Sequence, residues 1–260
     1  MNPISTAIWL YGSNARGDAD PKSDFDVLAV CDVPTTSEEV AQCAGFPLAR
    51  VAISRYSWPE IQGMASYGSL FLHHIRLEGR CLYESGGVDG RLRTILNSLG
   101  PYRRALMDVD SFRLTVSDVQ RSLGEGGSLP FELSVLGTVA RHAAILGCYI
   151  SGCPTFGRIE AMRKLADLWA LEPQIPSLFV RLYNSRLFAD QRSEAPRDIS
   201  LDEAYHWCGR LNVILDRLEV QAYEFETRLQ TADSPCEGGG AQPGGRIRRA
   251  HTSQEVDSRL

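Results

Sequence analysis

The sequence predicts an α+β protein in which a small sheet with helices is followed by an all-α helical bundle. Up to about residue 85, short apolar runs of strand length alternate with turn residues. From about residue 90 to 231, apolar residues recur at helical spacing, and no run has the character of a strand. From residue 232 onward the chain is rich in glycine and polar residues. These differences in periodicity and composition predict a first domain over residues 1–86, a helical bundle over 90–231 and a disordered tail over 232–260.

The first domain contains four predicted strands and two predicted helices. The strands are apolar runs at 7–11, 24–30, 48–56 and 80–83. The helices lie between the last two strands, at 58–67 and 70–78. Ser57 is the expected cap of the first helix, and Pro59 falls in its first turn.

Six helices are predicted in the second segment. Their ranges are 91–99, 102–123, 130–150, 159–171, 175–188 and 201–229. The last helix begins with a capping box, in which Ser200 is followed three residues later by Glu203. Its apolar residues then recur at helical spacing, which favours packing of one face in a bundle.

Composition excludes several classes of protein. The net charge of -5 provides no general attraction for nucleic acid or for an anionic membrane. The seven cysteines contain no CxxC pair, so reduced thiols are expected rather than a disulfide framework or a zinc knuckle. The N-terminus does not have the pattern of a signal peptide, and no apolar run reaches about 18 residues. We therefore expect a soluble, cytoplasmic protein.

The segment LYGSNARGDADPKSDFDVLAV contains the residues that indicate chemistry. Ser13 and Asp24 are separated by ten residues, and Asp24 and Asp26 open the second predicted strand. Because strand side chains alternate faces, the two aspartates point the same way and Phe25 points into the core. Two carboxylates on one face can bind a hard divalent cation, which usually shares its coordination shell with substrate phosphates.

The residues before these aspartates are suited to binding the phosphates of a nucleotide. Gly12 allows the backbone to come close to a phosphate, and Ser13 offers a hydroxyl and an amide. Arg16 and Lys22 can neutralise phosphate charge. The predicted phosphate loop extends to Ser23, next to the first aspartate.

This combination resembles the DNA polymerase beta nucleotidyltransferase superfamily, which includes aminoglycoside nucleotidyltransferases and minimal nucleotidyltransferases. The resemblance rests on GS-x10-DxD between two apolar strands and on the ARGD loop, and it covers about the first third of the chain. It implies a mixed, partly antiparallel sheet with the active site on its open face and a helical domain that closes over the nucleotide.

The implied activity is transfer of a nucleoside monophosphate from a nucleoside triphosphate to an acceptor hydroxyl on a small molecule, a protein or an RNA end. The resemblance assigns Asp24 and Asp26 as catalytic ligands of Mg²⁺ or Mn²⁺. Among the acceptors, a long nucleic acid is the least attractive, because residues 1–85 carry 6 basic and 10 acidic side chains. A homodimer through the helical bundle is an open alternative to a monomer.

The sequence departs from the superfamily at one position. A third carboxylate is expected on the strand beside the two aspartates, where this chain has Ala52 or Ser54. Glu132 and Glu160, near the starts of two predicted helices, are candidate replacements by position alone. The alternative function is therefore a catalytically silent nucleotide-binding or interaction module.

The sequence alone leaves the roles of two further features open. One of His73 and His74 is expected to cap or pack under the sheet rather than to bind a metal. Residues 152–158 form a predicted loop between two helices, and Arg158 in that loop is a candidate phosphate contact.

Overall fold

The computed structural model describes residues 6–19, 23–33, 35–85, 90–189 and 200–233. Its sheet has four strands in the order β3-β2-β1-β4. The strands are β1 (Thr6–Tyr11), β2 (Phe25–Cys31), β3 (Val51–Tyr56) and β4 (Arg80–Ser85). β1 is antiparallel to β2 and β4, whereas β2 and β3 are parallel. The mixed sheet that the resemblance implies is therefore confirmed.

Within the described part of the first segment, four helices accompany the strands of the sheet. They are α1 (Ser13–Arg16), α2 (Ser37–Ala44), α3 (Trp58–Ser66) and α4 (Leu70–Glu78). α2 and α3 each begin with a capping box, in which Thr36 pairs with Glu39 and Ser57 with Glu60. These boxes satisfy backbone amides that the first turn of a helix leaves open.

The sheet buries apolar side chains on both faces, as the alternation along β1 requires. Trp9 packs in the cluster that includes Trp58 and Leu72, on the side of α3 and α4. Ile8 and Leu10 pack on the opposite side, in the cluster that includes Val40 of α2. Tight packing on both sides holds the end of β1 and the start of β2 in one place.

The described residues after β4 form six further helices. They are α5 (Arg91–Asn97), α6 (Ala105–Gly124), α7 (Leu129–Ile150), α8 (Glu160–Trp169), α9 (Ile175–Ala189) and α10 (Leu201–Asp233). α7 lies at the centre of the bundle and packs against α6, α8, α9 and α10. Among the helices that the structure describes, α7 alone is long and apolar enough to cross a membrane, and 67% of its most apolar window is buried inside the protein.

The predicted helices of the second segment all occur, with ends that differ by a few residues. α10 continues to Asp233, two residues into the predicted tail, and residues 234–260 lie outside the described part of the chain. The predicted boundary at 86–90 falls mostly on residues 86–89, which are also outside it. The division into domains therefore stays a prediction.

Two local differences concern the site. The predicted strand over 48–56 is a 3₁₀ turn, Leu48–Arg50, followed by β3. The segment after Gly12 forms the short helix α1, which strand and helix periodicity could not indicate in four residues.

Candidate active site

Gly12 stands at the turn between β1 and α1, directly against Asp26. Its φ of 72° lies in the left-handed region that glycine adopts without strain. A Cβ atom at this position would lie 2.5 Å from Asp26 Oδ2. The close approach of the backbone to the carboxylate therefore requires glycine.

Strand pairing positions the two aspartates. Asp26 lies in β2 between Tyr11 of β1 and Ala52 of β3. Asp24 immediately precedes β2, and its carbonyl oxygen accepts a hydrogen bond of 2.6 Å from Asn14 Nδ2. This bond joins α1 to the segment that carries the carboxylates.

Ser13 has the properties expected of a phosphate contact. The residue is only 8% exposed, and it lines the cavity beside Asp24 and Asp26. Its Oγ atom is buried and has no hydrogen-bond partner within the part of the chain that the structure describes. A buried hydroxyl without a partner is costly unless a ligand completes its hydrogen bonding.

Arg16 also faces the cavity, but its guanidinium is already engaged. Its Nη1 atom donates to Glu78 Oε2 at 2.6 Å, and its Nε atom donates to Asp18 at 3.2 Å. His74 Nε2 lies 2.8 Å from the same oxygen of Glu78. Burial opposes ionisation of Glu78, but the bonds from His74 and Arg16 outweigh it and lower the pKa of this carboxyl.

The cavity has a volume of about 620 Å³, and its lining residues come from both segments of the chain. Gly12, Ser13, Arg16, Asp24 and Asp26 all line it. The structure therefore brings these five predicted residues to one site.

The two other predicted phosphate-loop residues are Lys22 and Ser23. The carbonyl oxygen of Ser23 accepts a hydrogen bond from Arg50 at 2.8 Å, and Ser23 is not a lining residue. Lys22 lies outside the described residues. The binding roles predicted for the loop therefore stay predictions.

The position expected for a third carboxylate is occupied by small side chains. Ala52 lies opposite Asp26, and both Ala52 and Ser54 line the cavity. The Ser54 hydroxyl is 2.9 Å from the hydroxyl of Tyr11. Within the described ranges, no group of three His, Cys, Asp or Glu side chains is arranged to hold a metal ion.

The acid that the helical bundle contributes to the cavity is Asp108, not Glu132 or Glu160. Glu132 accepts a hydrogen bond of 2.5 Å from Ser122, and neither Glu132 nor Glu160 lines the cavity. Asp108 of α6 does line it and accepts a hydrogen bond of 2.5 Å from the hydroxyl of Tyr102. Burial raises the pKa of Asp108.

Two arginines from the bundle act on Asp26. Burial raises the pKa of the Asp26 carboxyl, while the positive charges of Arg158 and Arg141 act in the opposite direction. Arg141 belongs to α7, and Arg158 belongs to the segment between α7 and α8. Phe156 and Arg158, from the predicted loop over residues 152–158, both line the cavity. Periodicity places Arg141 on a helix, but no local pattern connects it to Asp26.

The adjacent histidines have different surroundings. His74 lines the cavity and stacks on Phe156. His73 is 3% exposed, and its Nε2 atom lies 3.1 Å from Gly100 O and 3.0 Å from the hydroxyl of Tyr149. Burial lowers the pKa of His73 to about 4. His73 is thus a buried imidazole in contact with Gly100 and with Tyr149 of α7, and the packing of a histidine under the sheet stays a prediction.

Comparison with known proteins finds a family model that matches the first part of the chain. Residues 1–56 match the family model of the nucleotidyltransferase domain. This range extends to the end of β3 and includes the residues of the GS-x10-DxD pattern.

The chain is also similar to a solved structure, a nucleotidyltransferase-like protein from Exiguobacterium sibiricum 255-15. The two chains are 13% identical with a TM-score of 0.38, over 90% of this chain and 76% of that one. No curated protein matches the sequence.

Proposed function

We propose that this chain, whose residues 1–56 match the nucleotidyltransferase domain family, is a metal-dependent nucleotidyltransferase. It transfers a nucleoside monophosphate from a nucleoside triphosphate to an acceptor hydroxyl. The observation that carries the proposal is the contact between Gly12 and Asp26, because it supports a phosphate loop adjacent to a metal-binding carboxylate.

The residues fit a metal–nucleotide complex. Asp24 and Asp26 would hold Mg²⁺ or Mn²⁺, because hard cations prefer carboxylate oxygens and share their shell with phosphates. A bound cation would also stabilise the charged form of Asp26, which burial disfavours. The Ser13 hydroxyl would donate to a phosphate oxygen and so gain the partner it lacks among the described residues. The metal would supply polarisation of the α-phosphate.

The reaction is a displacement at phosphorus. The acceptor oxygen forms a bond to the α-phosphorus, and the bond from that phosphorus to the bridging oxygen of the β-phosphate breaks. Pyrophosphate leaves with the electron pair, and the hydroxyl proton passes to water. The role of the protein is to position the α-phosphate beside the carboxylates and to orient the acceptor in line with the leaving group.

The cavity is large enough for this task. A volume of about 620 Å³ lies within the range of roughly 300–1,000 Å³ that is usual for small-molecule sites. Tyr56 and Phe71 line it and provide aromatic surface in the same cavity as the aspartates. The proposed partners are thus a nucleoside triphosphate and an acceptor that is not yet identified. A cytoplasmic location and a homodimer stay proposals from the sequence.

A second function is favoured by one observation. Ala52 and Ser54 leave β3 without the third carboxylate, and the described residues offer no other acid in a metal-binding group with Asp24 and Asp26. A chain of this kind can bind a metal–nucleotide complex through two aspartates without transferring the nucleotidyl group. It would then act as a nucleotide-binding or interaction module.

One experiment separates the two functions. α-Labelled nucleoside triphosphates are incubated with the protein, with Mg²⁺ or Mn²⁺ and with aminoglycosides, protein or short RNA as acceptors. Asp24→Asn/Asp26→Asn protein is the control, because it removes both charges with little change in side-chain volume. Label that is transferred by the wild type and not by the variant establishes the transferase. Metal-dependent nucleotide binding without transfer establishes the silent module.

A further inference from the structure

The helical bundle contributes two arginines to the cavity that contains the aspartates. Arg141 lies in α7, and Arg158 lies in the segment between the end of α7 and the start of α8. Both arginines line the cavity and are half-buried. Each guanidinium presents five N–H donors in a planar arrangement that matches the oxygens of a phosphate.

Packing supports the backbone that carries both arginines. Arg141 lies in the middle of α7, the central helix of the bundle. The segment that carries Arg158 is anchored at its start, where Cys153 N donates to Cys148 O at 2.9 Å. Phe156 anchors it again by stacking on His74. Two arginines on supported backbone can bind an anion with little loss of conformational entropy.

The positive charges of these arginines reach the proposed metal site. Arg158 and Arg141 are the strongest positive influences on the Asp26 carboxyl, and both oppose the effect of its burial. An anion that reaches the aspartates together with a cation would therefore lie within the field of Arg141 and Arg158.

Two other acids near the cavity are paired elsewhere. Glu78 binds the guanidinium of Arg16. Asp108 accepts the hydrogen bond from Tyr102. A phosphate would carry its own negative charge to the guanidinium groups of the cavity.

We infer that Arg141 and Arg158 form an anion subsite that binds a phosphate group beside Asp24 and Asp26. This inference rests on the proposed function and adds to it, because it assigns the binding of one phosphate to named residues of the bundle. The phosphate is either the β- or γ-phosphate of the nucleotide or a phosphate carried by the acceptor.

Binding measurements test the subsite without requiring transfer. Arg141→Gln, Arg158→Gln and the double variant are titrated by calorimetry with ATP and with adenosine, in the presence of Mg²⁺. Arg163→Gln is the matched control, because Arg163 is exposed on the neighbouring α8. In a second titration, inorganic phosphate is added to protein saturated with a non-hydrolysable ATP analogue.

Loss of about 10- to 100-fold in ATP affinity, with adenosine unaffected, supports the subsite and assigns it to the nucleotide. Unchanged ATP affinity with loss of phosphate binding to the saturated protein supports the subsite and assigns it to the acceptor. Equal affinities of wild type and variants in both titrations overturn the inference. The inference is also overturned if Arg163→Gln loses as much affinity as the cavity variants.

Two further controls keep the result clear. Arg141→Lys and Arg158→Lys retain the charge, so partial recovery of binding shows that a loss in the glutamine variants is not caused by unfolding. If the wild type binds Mg²⁺–ATP and the variants match it in both titrations, only the subsite fails. If the wild type binds no nucleotide, the proposed function fails, and the phosphate titration without analogue still tests the arginines.

Discussion

His74 of α4 stacks on Phe156, with ring centroids 4.6 Å apart and ring planes 13° apart. The same imidazole lies 2.8 Å from Glu78, which in turn accepts the hydrogen bond from Arg16. This series of contacts runs from the predicted phosphate loop to the segment that carries Arg158. It explains how residues distant in sequence come to share one cavity.

Removing the Phe156 ring should destabilise the protein. Phe156 is 4% exposed, so Phe156→Ala leaves a cavity, and we expect the free energy of unfolding to fall by about 3–5 kcal/mol. Chemical denaturation followed by circular dichroism measures the change. Phe131→Ala is the control, because Phe131 is 61% exposed and its loss should cost less than about 0.5 kcal/mol. Similar losses in the two variants would contradict the assigned packing.

Substitution of Gly12 should damage the site more than substitution of Gly17, another glycine with positive φ. Gly12→Ala strains a φ of 72° and brings Cβ against Asp26, whereas Gly17→Ala strains a φ of 85° with no atom within 4 Å. We expect both to lose about 1–3 kcal/mol of stability from backbone strain. Gly12→Ala alone should lose metal-dependent nucleotide binding, measured by calorimetry. Equal binding by the two variants would show that the contact with Asp26 is unimportant.

Asp26→Asn should stabilise the protein in the absence of divalent cations. Burial raises the pKa of Asp26, so the folded state disfavours the charge that the unfolded state accepts, and this cost is present at pH above the folded pKa. The neutral amide removes that cost, and the midpoint of thermal unfolding in EDTA should rise. The variant should also lose the further rise that Mg²⁺–ATP produces in the wild type.

The exposed Asp110 of α6 provides the control for this measurement. Asp110→Asn should leave both the midpoint in EDTA and the response to Mg²⁺–ATP unchanged. A drop in stability for Asp26→Asn would show that the carboxylate has a structural role instead.

His73 should make stability depend on pH. Its pKa is about 4 in the folded protein and 6.5 when unperturbed, so the unfolded state binds the proton more tightly. Stability is therefore unaffected by this group above pH 6.5 and falls as the pH is lowered from 6.5 to about 4. The loss is at most about 3.5 kcal/mol, since one pKa unit corresponds to about 1.4 kcal/mol.

Unfolding measured across this range in wild type and His73→Gln protein tests the assignment. The variant should lose part of the slope between pH 6.5 and 4, whereas His206→Gln, at an exposed position of α10, should keep it. An unchanged slope in His73→Gln would contradict the assignment.

Much of the fold could be predicted because its signals are local. α4 has the predicted bounds 70–78, and α3 begins after the predicted cap Ser57. Side-chain alternation places Asp24 and Asp26 on one face, and both line the cavity. Caps and periodicity act over a few residues, so they can be recognised without knowing how the chain packs.

The contribution of the bundle to the cavity could not be predicted in this way. Arg141 and Asp108 lie far from Asp26 in the sequence, and nothing near them indicates that they line the same cavity. The sequence also left Ala52 and Ser54 as alternative positions for the expected third carboxylate. Strand register places Ala52 opposite Asp26.

The sequence by itself determined the strands, most of the helices and the GS-x10-DxD pattern, because these depend on neighbouring residues. Only the tertiary structure decided which side chains share the cavity with the aspartates, because that depends on how α6, α7 and the segment before α8 pack against the sheet. The hydrogen bond from Arg16 to Glu78, 62 residues away, also depends on tertiary packing. Local propensity cannot encode contacts of this range, since many packings satisfy the same helical pattern.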